Sequence, residues 1–469
     1  MTEFGNVIDG VLCGSSGDGS DLVEPRTGTA YGRAPLSRAP EVDAAFAAAT
    51  RAFETWRRTT PGERQAALLA VAAEIEQRRD EFVAAECRDT GKFPGLFETE
   101  ELLPVTDQIR FFAGAARLLE GRAAGEYVGA HTSMVRREPL GVIAQIAPWN
   151  YPFMTAVWKI APAVAAGNTV VFKPDEATPA SAILLAEVCA KHLPPGVVNV
   201  VCGDRETGSL LSSHRDAAMV ALTGSVRAGS AVARAADLRP VHLELGGNAP
   251  VLVFADADVA RCAELVADAA FYNAGQDCTA PARVLVHEDV HDELVAALAA
   301  EAAHRIAAGP GREGGYAPLI SQVQLDRVAG LVERRGSAEV VAGGQVEEGP
   351  GFYYQPTVVR GAGQKDELVQ EETFGPVLTV QPFATEREAV ALANDVRHGL
   401  AASVWTREAG RAMRVVADLD FGITWVNTHV TTAAEMPHGG FKETGGGKDL
   451  SLYGLEAYTR IKHVMVAWA

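Results

Sequence analysis

The sequence predicts an α/β protein built on a parallel sheet with helices on both faces, followed by a second α/β stretch. Three observations predict it. From residue 140 onward, short apolar runs alternate with helical segments: GVIAQIA, TVVFK, VVNVV, MVALTG and APVLVF. Such alternation marks parallel strands joined by crossover helices. The runs read as strands buried on both faces, as a helix-covered parallel sheet requires. The chain has 469 residues, 48% of them apolar, enough for two or three domains and a large core. Sheets of this kind bind ligands beyond the carboxyl ends of their strands.

Residues 15–21 read as a polar, glycine-rich loop. Val42, Phe46, Phe53 and Trp56 recur at spacings of 4, 7 and 3, which puts them on one helix face. Pro61 opens a further helix and Gly91 follows its end. Residues 140–158 carry no charge over 19 positions. Pro148, Asn150 and Pro152 near their middle would break a lipid-exposed helix, so the stretch reads as a buried strand, a tight turn and the start of a buried helix. Residues 181–191 read as helix, and a second α/β stretch runs from about residue 250 to 430. The ending TRIKHVMVAWA reads as a strand that needs a partner, in its own chain or in another subunit.

Composition excludes several classes. Lys plus Arg is 42 and Asp plus Glu is 60, a net charge of −18, which argues against a general nucleic-acid binder. The six cysteines stand singly, with no metal-finger spacing, and point to a reducing, cytoplasmic compartment. The start, with Glu3 and no basic segment, does not resemble a signal peptide. GxGxxG after a strand, GxxxxGK[ST] and HExxH are missing, so no metal is expected and any nucleotide is held in another way.

Five short stretches carry chemistry. Cys278, in FYNAGQDCTA, is either a core cysteine or a nucleophile; its polar, glycine-containing loop suits the second. Glu244, in VHLELGGNAP, is a carboxylate in an apolar run before two glycines, where desolvation would raise its pKa toward that of a general base. Asn150, between Trp149 and Tyr151 in PWNYPF, is either a turn residue or a preset amide donor for an oxyanion. Lys173 and Glu176 stand at the mouth of the TVVFK strand, where a carboxylate can accept both hydroxyls of an adenosine ribose and repel a 2′-phosphate. Thr223, Gly224 and Ser225 precede Gly229, which opens a helix, and a helix N-terminus with small residues can seat a pyrophosphate.

Together, PWNYPF, FKPDE, LTGS, ELGG, GQDC and EETFGPV resemble the NAD(P)-dependent aldehyde dehydrogenases in order and in spacing, and the resemblance covers nearly the whole chain. It implies the aldehyde dehydrogenase fold: a Rossmann-like NAD-binding domain (1–119 and 139–246), an α/β catalytic domain (247–455) and a small β oligomerisation arm (120–138 and 456–469). It implies a homo-oligomer, dimer or tetramer, with no membrane and no nucleic-acid partner. By family role, Cys278 attacks the aldehyde, Asn150 and the Cys278 N–H hold the oxyanion, and Glu244 activates the hydrolytic water. The NAD site carries over to Trp149, Lys173, Glu176, Gly224, Ser225, Leu245, Glu372 and Phe374, and NADP stays open. Asn248 departs from the lysine that many members have after ELGG and would alter a local charge near Glu244.

Within the family, YNAGQDCTA, WVNTH, EMPHGG and GKDLSLYGLEAYT resemble the γ-aminobutyraldehyde dehydrogenases. A cationic aldehyde wants carboxylates and aromatic faces around its tail. Asp107, Asp277 and Glu435 are the candidate acids, and Tyr151, Trp158 and Trp425 the candidate walls. Asp107 has a helix-surface alternative, and Asp277 can instead brace its own loop. Betaine aldehyde and neutral aldehydes are the competing substrates. A non-catalytic protein of the same fold would have lost Cys278, Glu244 or Asn150, and a CoA-acylating one Glu244; all three are present.

Overall fold

The computed structural model describes residues 1–15 and 18–468. Two sheets organise the chain. The first runs in the order Val241–Glu244, Ala217–Thr223, Val142–Ile146, Thr169–Lys173, Val198–Val200, Asn6–Ile8, Val11–Cys13. Its first five strands are parallel, and Asn6–Ile8 joins antiparallel to Val198–Val200. The second runs Glu339–Ala342, Thr357–Arg360, Val377–Phe383, Pro281–His287, Ala249–Val253, Ala401–Trp405, Ile423–Val426. It is parallel except for Glu339–Ala342. The central strands Val142–Ile146, Thr169–Lys173 and Ala249–Val253 are buried at every residue, as layers covered on both faces must be.

Local signals set the helices. Thr60 accepts from the Glu63 N–H, Glu63 reaches back to the Thr60 N–H, and Pro61 takes the first turn, which starts Pro61–Gln77. The predicted single helix ending at Gly91 is two: a break at Arg78 separates Pro61–Gln77 from Arg79–Thr90, which ends on left-handed Gly91. Residues 140–158 fold as expected, into Val142–Ile146, a turn, and the buried helix Pro152–Ala165.

The N-terminus departs from expectation. Gly19–Glu24 pairs with Thr29–Pro35, so residues 19–21 belong to a strand where a loop is predicted; residues 16 and 17 of that stretch lie outside the described residues. Asn6–Ile8 and Val11–Cys13 extend the first sheet, a placement decided by tertiary pairing in a segment too short for periodicity to register. The terminal strand Thr459–Ala467 has its partner in its own chain: it pairs antiparallel with His131–Pro139 from Thr459 opposite Pro139 to Ala467 opposite His131.

One connection fixes the site. Val241–Glu244 is an edge strand of the first sheet, and after a link of four residues the chain enters Ala249–Val253 inside the second. The carboxyl end of one sheet therefore meets the amino end of the other. No helix among the described residues is long and apolar enough to cross a membrane.

Candidate active site

Asn150 follows the Val142–Ile146 strand, in the turn before Pro152–Ala165. Its side chain is buried and donates to the Gln276 carbonyl at 2.9 Å. Its own carbonyl receives the Asn273 amide at 3.0 Å. A primary amide has two N–H groups. With one on Gln276, the other is the group an oxyanion could take, two residues from Cys278.

Cys278 is half-buried at the end of a contorted loop. Asn273, Ala274 and Gly275 are successive left-handed residues, φ 47°, 53° and 67°. The loop is pinned by the Gln276 side chain, whose Nε2 donates to the Asn273 carbonyl and whose Oε1 accepts the Ile320 N–H, each at 2.9 Å. A Cβ on Gly275 would lie 2.2 Å from the Gly375 carbonyl oxygen, so only glycine fits there. Burial, then the charges of Asp277, Glu372 and Glu244, push the Cys278 thiol well above its usual range.

Glu244 ends its strand, 4% exposed, with Oε1 lacking any hydrogen-bond partner among the described residues. Burial first, then the charge of Asp449, raise its pKa; Lys159 and Lys448 oppose them. Behind it, Asp449 lies 3.0 Å from His242 Nε2 and 3.6 Å from Lys159 Nζ. Burial alone would raise Asp449, but Lys159 and His242 hold it at about 2. Sequence reading missed these partners. Lys159 did leave a signal, a single charge in the otherwise uncharged helix PFMTAVWKIAPAVA.

The two glycines after Glu244 bring the halves together. A Cβ on Gly247 would lie 2.0 Å from the Cys278 carbonyl oxygen, and one on Gly246 2.3 Å from a Glu372 carboxylate oxygen. The Gly247 N–H donates to Glu372 at 2.8 Å. Burial pushes Glu372 up to about 7, against the Gly247 N–H and the nearby Arg327 and Arg397. Arg327 donates to the Glu372 and Thr373 carbonyls, and Gln324 to that of Phe374. Phe374 is left-handed (φ 52°) and meets Trp149 edge-on at 5.3 Å, one ring from each sheet edge. Asn248 donates to the Val369 and Gln370 carbonyls, at 2.9 and 3.4 Å, and so ties down the segment that carries Glu372.

The other residues read as cofactor-binding lie along the first sheet's carboxyl edge. Lys173 donates to the Pro174 and Gly203 carbonyls, and its third N–H faces exposed Glu176 at 3.9 Å. The Gly224 N–H donates to the Glu244 backbone carbonyl, and Ser225 caps Val226–Ala236 through the Ala228 N–H, so the helix opens ahead of Gly229 and not at it. Leu245 is buried against Gly229.

The residues read as substrate-binding divide. Tyr151 is buried, and its hydroxyl donates to Asp277 at 2.8 Å. The other Asp277 oxygen accepts the N–H and hydroxyl of Thr279, at 2.6 and 2.8 Å. Trp158 is buried, donates to Gln108 and packs on His438 at 4.8 Å. Trp425 is buried against His429, whose ring nitrogens bond to Ser403 and to the Thr279 carbonyl, each at 2.8 Å. Asp107 and Glu435 are exposed. His429 is a further residue that sequence reading passed over.

A buried cysteine loop, an amide beside it and a desolvated glutamate, set between two mostly parallel sheets, mark an α/β enzyme. Residues 13–464 match the model of the aldehyde dehydrogenase family, and the chain belongs to that family. It is similar over its full length to a crystal structure of an NAD-dependent aldehyde dehydrogenase from Sinorhizobium meliloti, with 34% identity, 100% of this chain and 95% of that one covered, and TM-score 0.96. Lactaldehyde dehydrogenase from Escherichia coli matches at 35% identity, 99% of each chain and TM-score 0.96. A betaine aldehyde dehydrogenase variant from Staphylococcus aureus, solved with NAD+, matches at 31% identity, 99% and 96% coverage, and TM-score 0.95.

Proposed function

We propose that the chain oxidises an aldehyde to a carboxylic acid with NAD, and that the aldehyde is a linear ω-aminoaldehyde such as 4-aminobutanal. One observation carries the reaction: the Asn150 amide, the Cys278 loop and the Glu244 carboxylate converge where the two sheet edges meet. In this reading residues 1–119 and 139–246 bind NAD, 247–455 carry the nucleophile, and 120–138 with 456–469 form the oligomerisation arm. Exposed Ile461, Met465 and Trp468 on that arm support a homo-oligomer.

The residues present fit a dinucleotide. Glu176 is exposed beside a lysine with one N–H to spare, which suits a ribose diol. Ser225 opens a helix of eleven residues, Val226–Ala236, whose first N–H groups suit a pyrophosphate. Glu372, set between Gly246 and Gly247, is placed for the second ribose, with Trp149 and Phe374 flanking the ring.

The Cys278 thiol gives its proton to water as its sulfur adds to the aldehyde carbon, and the carbonyl electron pair moves to oxygen. The second Asn150 N–H and the Cys278 N–H hold that oxyanion. When bound, NAD supplies a hydride acceptor. Cys278 then carries the acyl group as a thioester. Glu244 takes a proton from water, the hydroxyl adds to the thioester, and the acid leaves with the Cys278 thiol restored.

The aminoaldehyde reading rests on YNAGQDCTA, WVNTH, EMPHGG and GKDLSLYGLEAYT and on the buried aromatics Tyr151, Trp158 and Trp425. Against it, Asp277 already serves Tyr151 and Thr279, and Asp107 and Glu435 are exposed; these observations favour betaine aldehyde or a neutral aldehyde as the second reading. The test is NADH formation with 4-aminobutanal, betaine aldehyde, succinic semialdehyde and benzaldehyde, with Cys278→Ala as control. A preference in kcat/KM for 4-aminobutanal is expected. Preference for another aldehyde overturns the substrate, and NADH formation that survives Cys278→Ala overturns the mechanism.

A further inference from the structure

Behind the Asn150 turn and the Cys278 loop lies a buried ion cluster that the reaction above leaves without a role. Lys92 Nζ sits 2.7 Å from Glu101 and 3.4 Å from Glu86, and all three side chains are 2% exposed or less. Buried ion pairs of this kind are poor stabilisers, because desolvation cancels most of the attraction. What the cluster holds is more telling. Glu86 accepts the N–H of Phe153, three residues after Asn150, at 3.2 Å, and the Ser181 hydroxyl at 2.6 Å. The second Glu101 oxygen accepts the Tyr272 hydroxyl at 2.8 Å. Tyr272 immediately precedes the left-handed run Asn273, Ala274 and Gly275 that delivers Cys278. The Lys92 ammonium also lies 4.2 Å from the ring centroid of Tyr151, whose hydroxyl holds Asp277. One rigid cluster thus grips the Asn150 turn through Phe153 and Tyr151, and the Cys278 loop through Tyr272.

We propose that Lys92, Glu86 and Glu101 are positioning residues that set the gap between the Asn150 amide and the Cys278 sulfur, acting through Tyr272 and Tyr151. A run with two left-handed non-glycine residues is unfavourable by itself and persists only where its surroundings over-determine it. The Glu101–Tyr272 bond is one such anchor, and the Asn150–Gln276, Asn273–Asn150 and Tyr151–Asp277 bonds are others that reach across the site. The cluster touches neither the reacting atoms nor any residue assigned to NAD.

The proposal rests on the Cys278–Asn150 chemistry above, and a double-mutant cycle tests it. Tyr272→Phe removes one hydroxyl and keeps the ring. In the whole enzyme it is expected to lower kcat about tenfold, with KM for NAD within about twofold of the parent. In an Asn150→Ala background the same change is expected to cost less than about twofold, because the group it positions is gone. Glu101→Gln, which keeps size and an acceptor, carries the same cycle should Tyr272→Phe fail to fold. Acylation of Cys278 by an activated aryl ester, which needs no cofactor, repeats the cycle independently of the aldehyde and of NAD. Non-additive losses in either assay support the cluster as a positioning device. Equal losses in both backgrounds, or an unchanged kcat in Tyr272→Phe, overturn it, and the ester assay separates that failure from a failure of the NAD-dependent reading.

Discussion

The two sheets have seven strands each, yet they present opposite ends to the site. The first offers its carboxyl edge: Trp149 and Asn150 after Val142–Ile146, Lys173 and Glu176 at the end of Thr169–Lys173, Gly224 and Ser225 after Ala217–Thr223, and Glu244 closing Val241–Glu244. The second offers its amino edge: Asn248 before Ala249–Val253, Cys278 before Pro281–His287, Glu372 and Phe374 before Val377–Phe383. On the first edge, short turns leave each strand and side chains do the work. On the second, the backbone is forced into left-handed conformations at Ala274 and Phe374, and close packing against glycine sets the geometry. Ligand binding beyond carboxyl ends is a rule of open α/β sheets. The nucleophile edge obeys no such rule and is built by contact.

If the edges divide the labour, the two halves of the reaction should come apart. The largest separation is expected from Glu244→Gln, which removes a base from the carboxyl edge and leaves the Cys278 loop alone. Steady-state turnover should fall by up to about 10⁴-fold. A single burst of NADH should persist, and mass spectrometry of the stalled enzyme should find Cys278 acylated. A variant that makes no burst would show that Glu244 also serves the first half, and the division would fail.

Asn150→Ala strikes where the edges meet. The amide is on the first sheet's edge, but it is oriented by Gln276 on the second's. Loss of one oxyanion donor costs about 10²–10³ in kcat. Here that loss should fall on acylation: the NADH burst should slow in step with turnover. A burst of normal rate would place the oxyanion elsewhere.

The same contrast explains what was legible in the sequence. Strands and the carboxyl-edge residues follow from apolar runs and from where such runs stop, so Asn150, Glu176 and Glu244 could be singled out by position. Cys278 could be singled out only by its polar, glycine-bearing neighbours. Glu372 and Phe374 stood out through resemblance alone, because their placement depends on Arg327, Gln324 and Gly247 reaching them from distant parts of the chain. Buried partners were the least visible. Lys92, Glu101, His242 and Asp449 look like ordinary polar residues until folding desolvates them. Asn248 shows the same limit: its effect is a pair of carbonyls 121 and 122 positions away, which no local pattern encodes.

The smallest expected effect refines the carboxyl edge itself. Glu244 must be unprotonated to take a proton from water, so hydrolysis should fail as pH drops through its raised pKa. After burial, the charge of Asp449 is the main cause of that rise. Asp449→Asn removes the negative charge and leaves Lys159, which opposes the rise, without that counter-ion. Both changes favour the ionised glutamate, so its pKa should fall and the acidic limb of kcat should move to lower pH. Above the limb the variant should match the parent; below it the variant should be faster, by a decade for each unit the limb moves. A limb that stays put would mean that Asp449 only holds Lys159 and His242 in place. A limb displaced to higher pH would mean that Lys159 had withdrawn from Glu244 once Asp449 released it, leaving Lys448 alone to oppose burial.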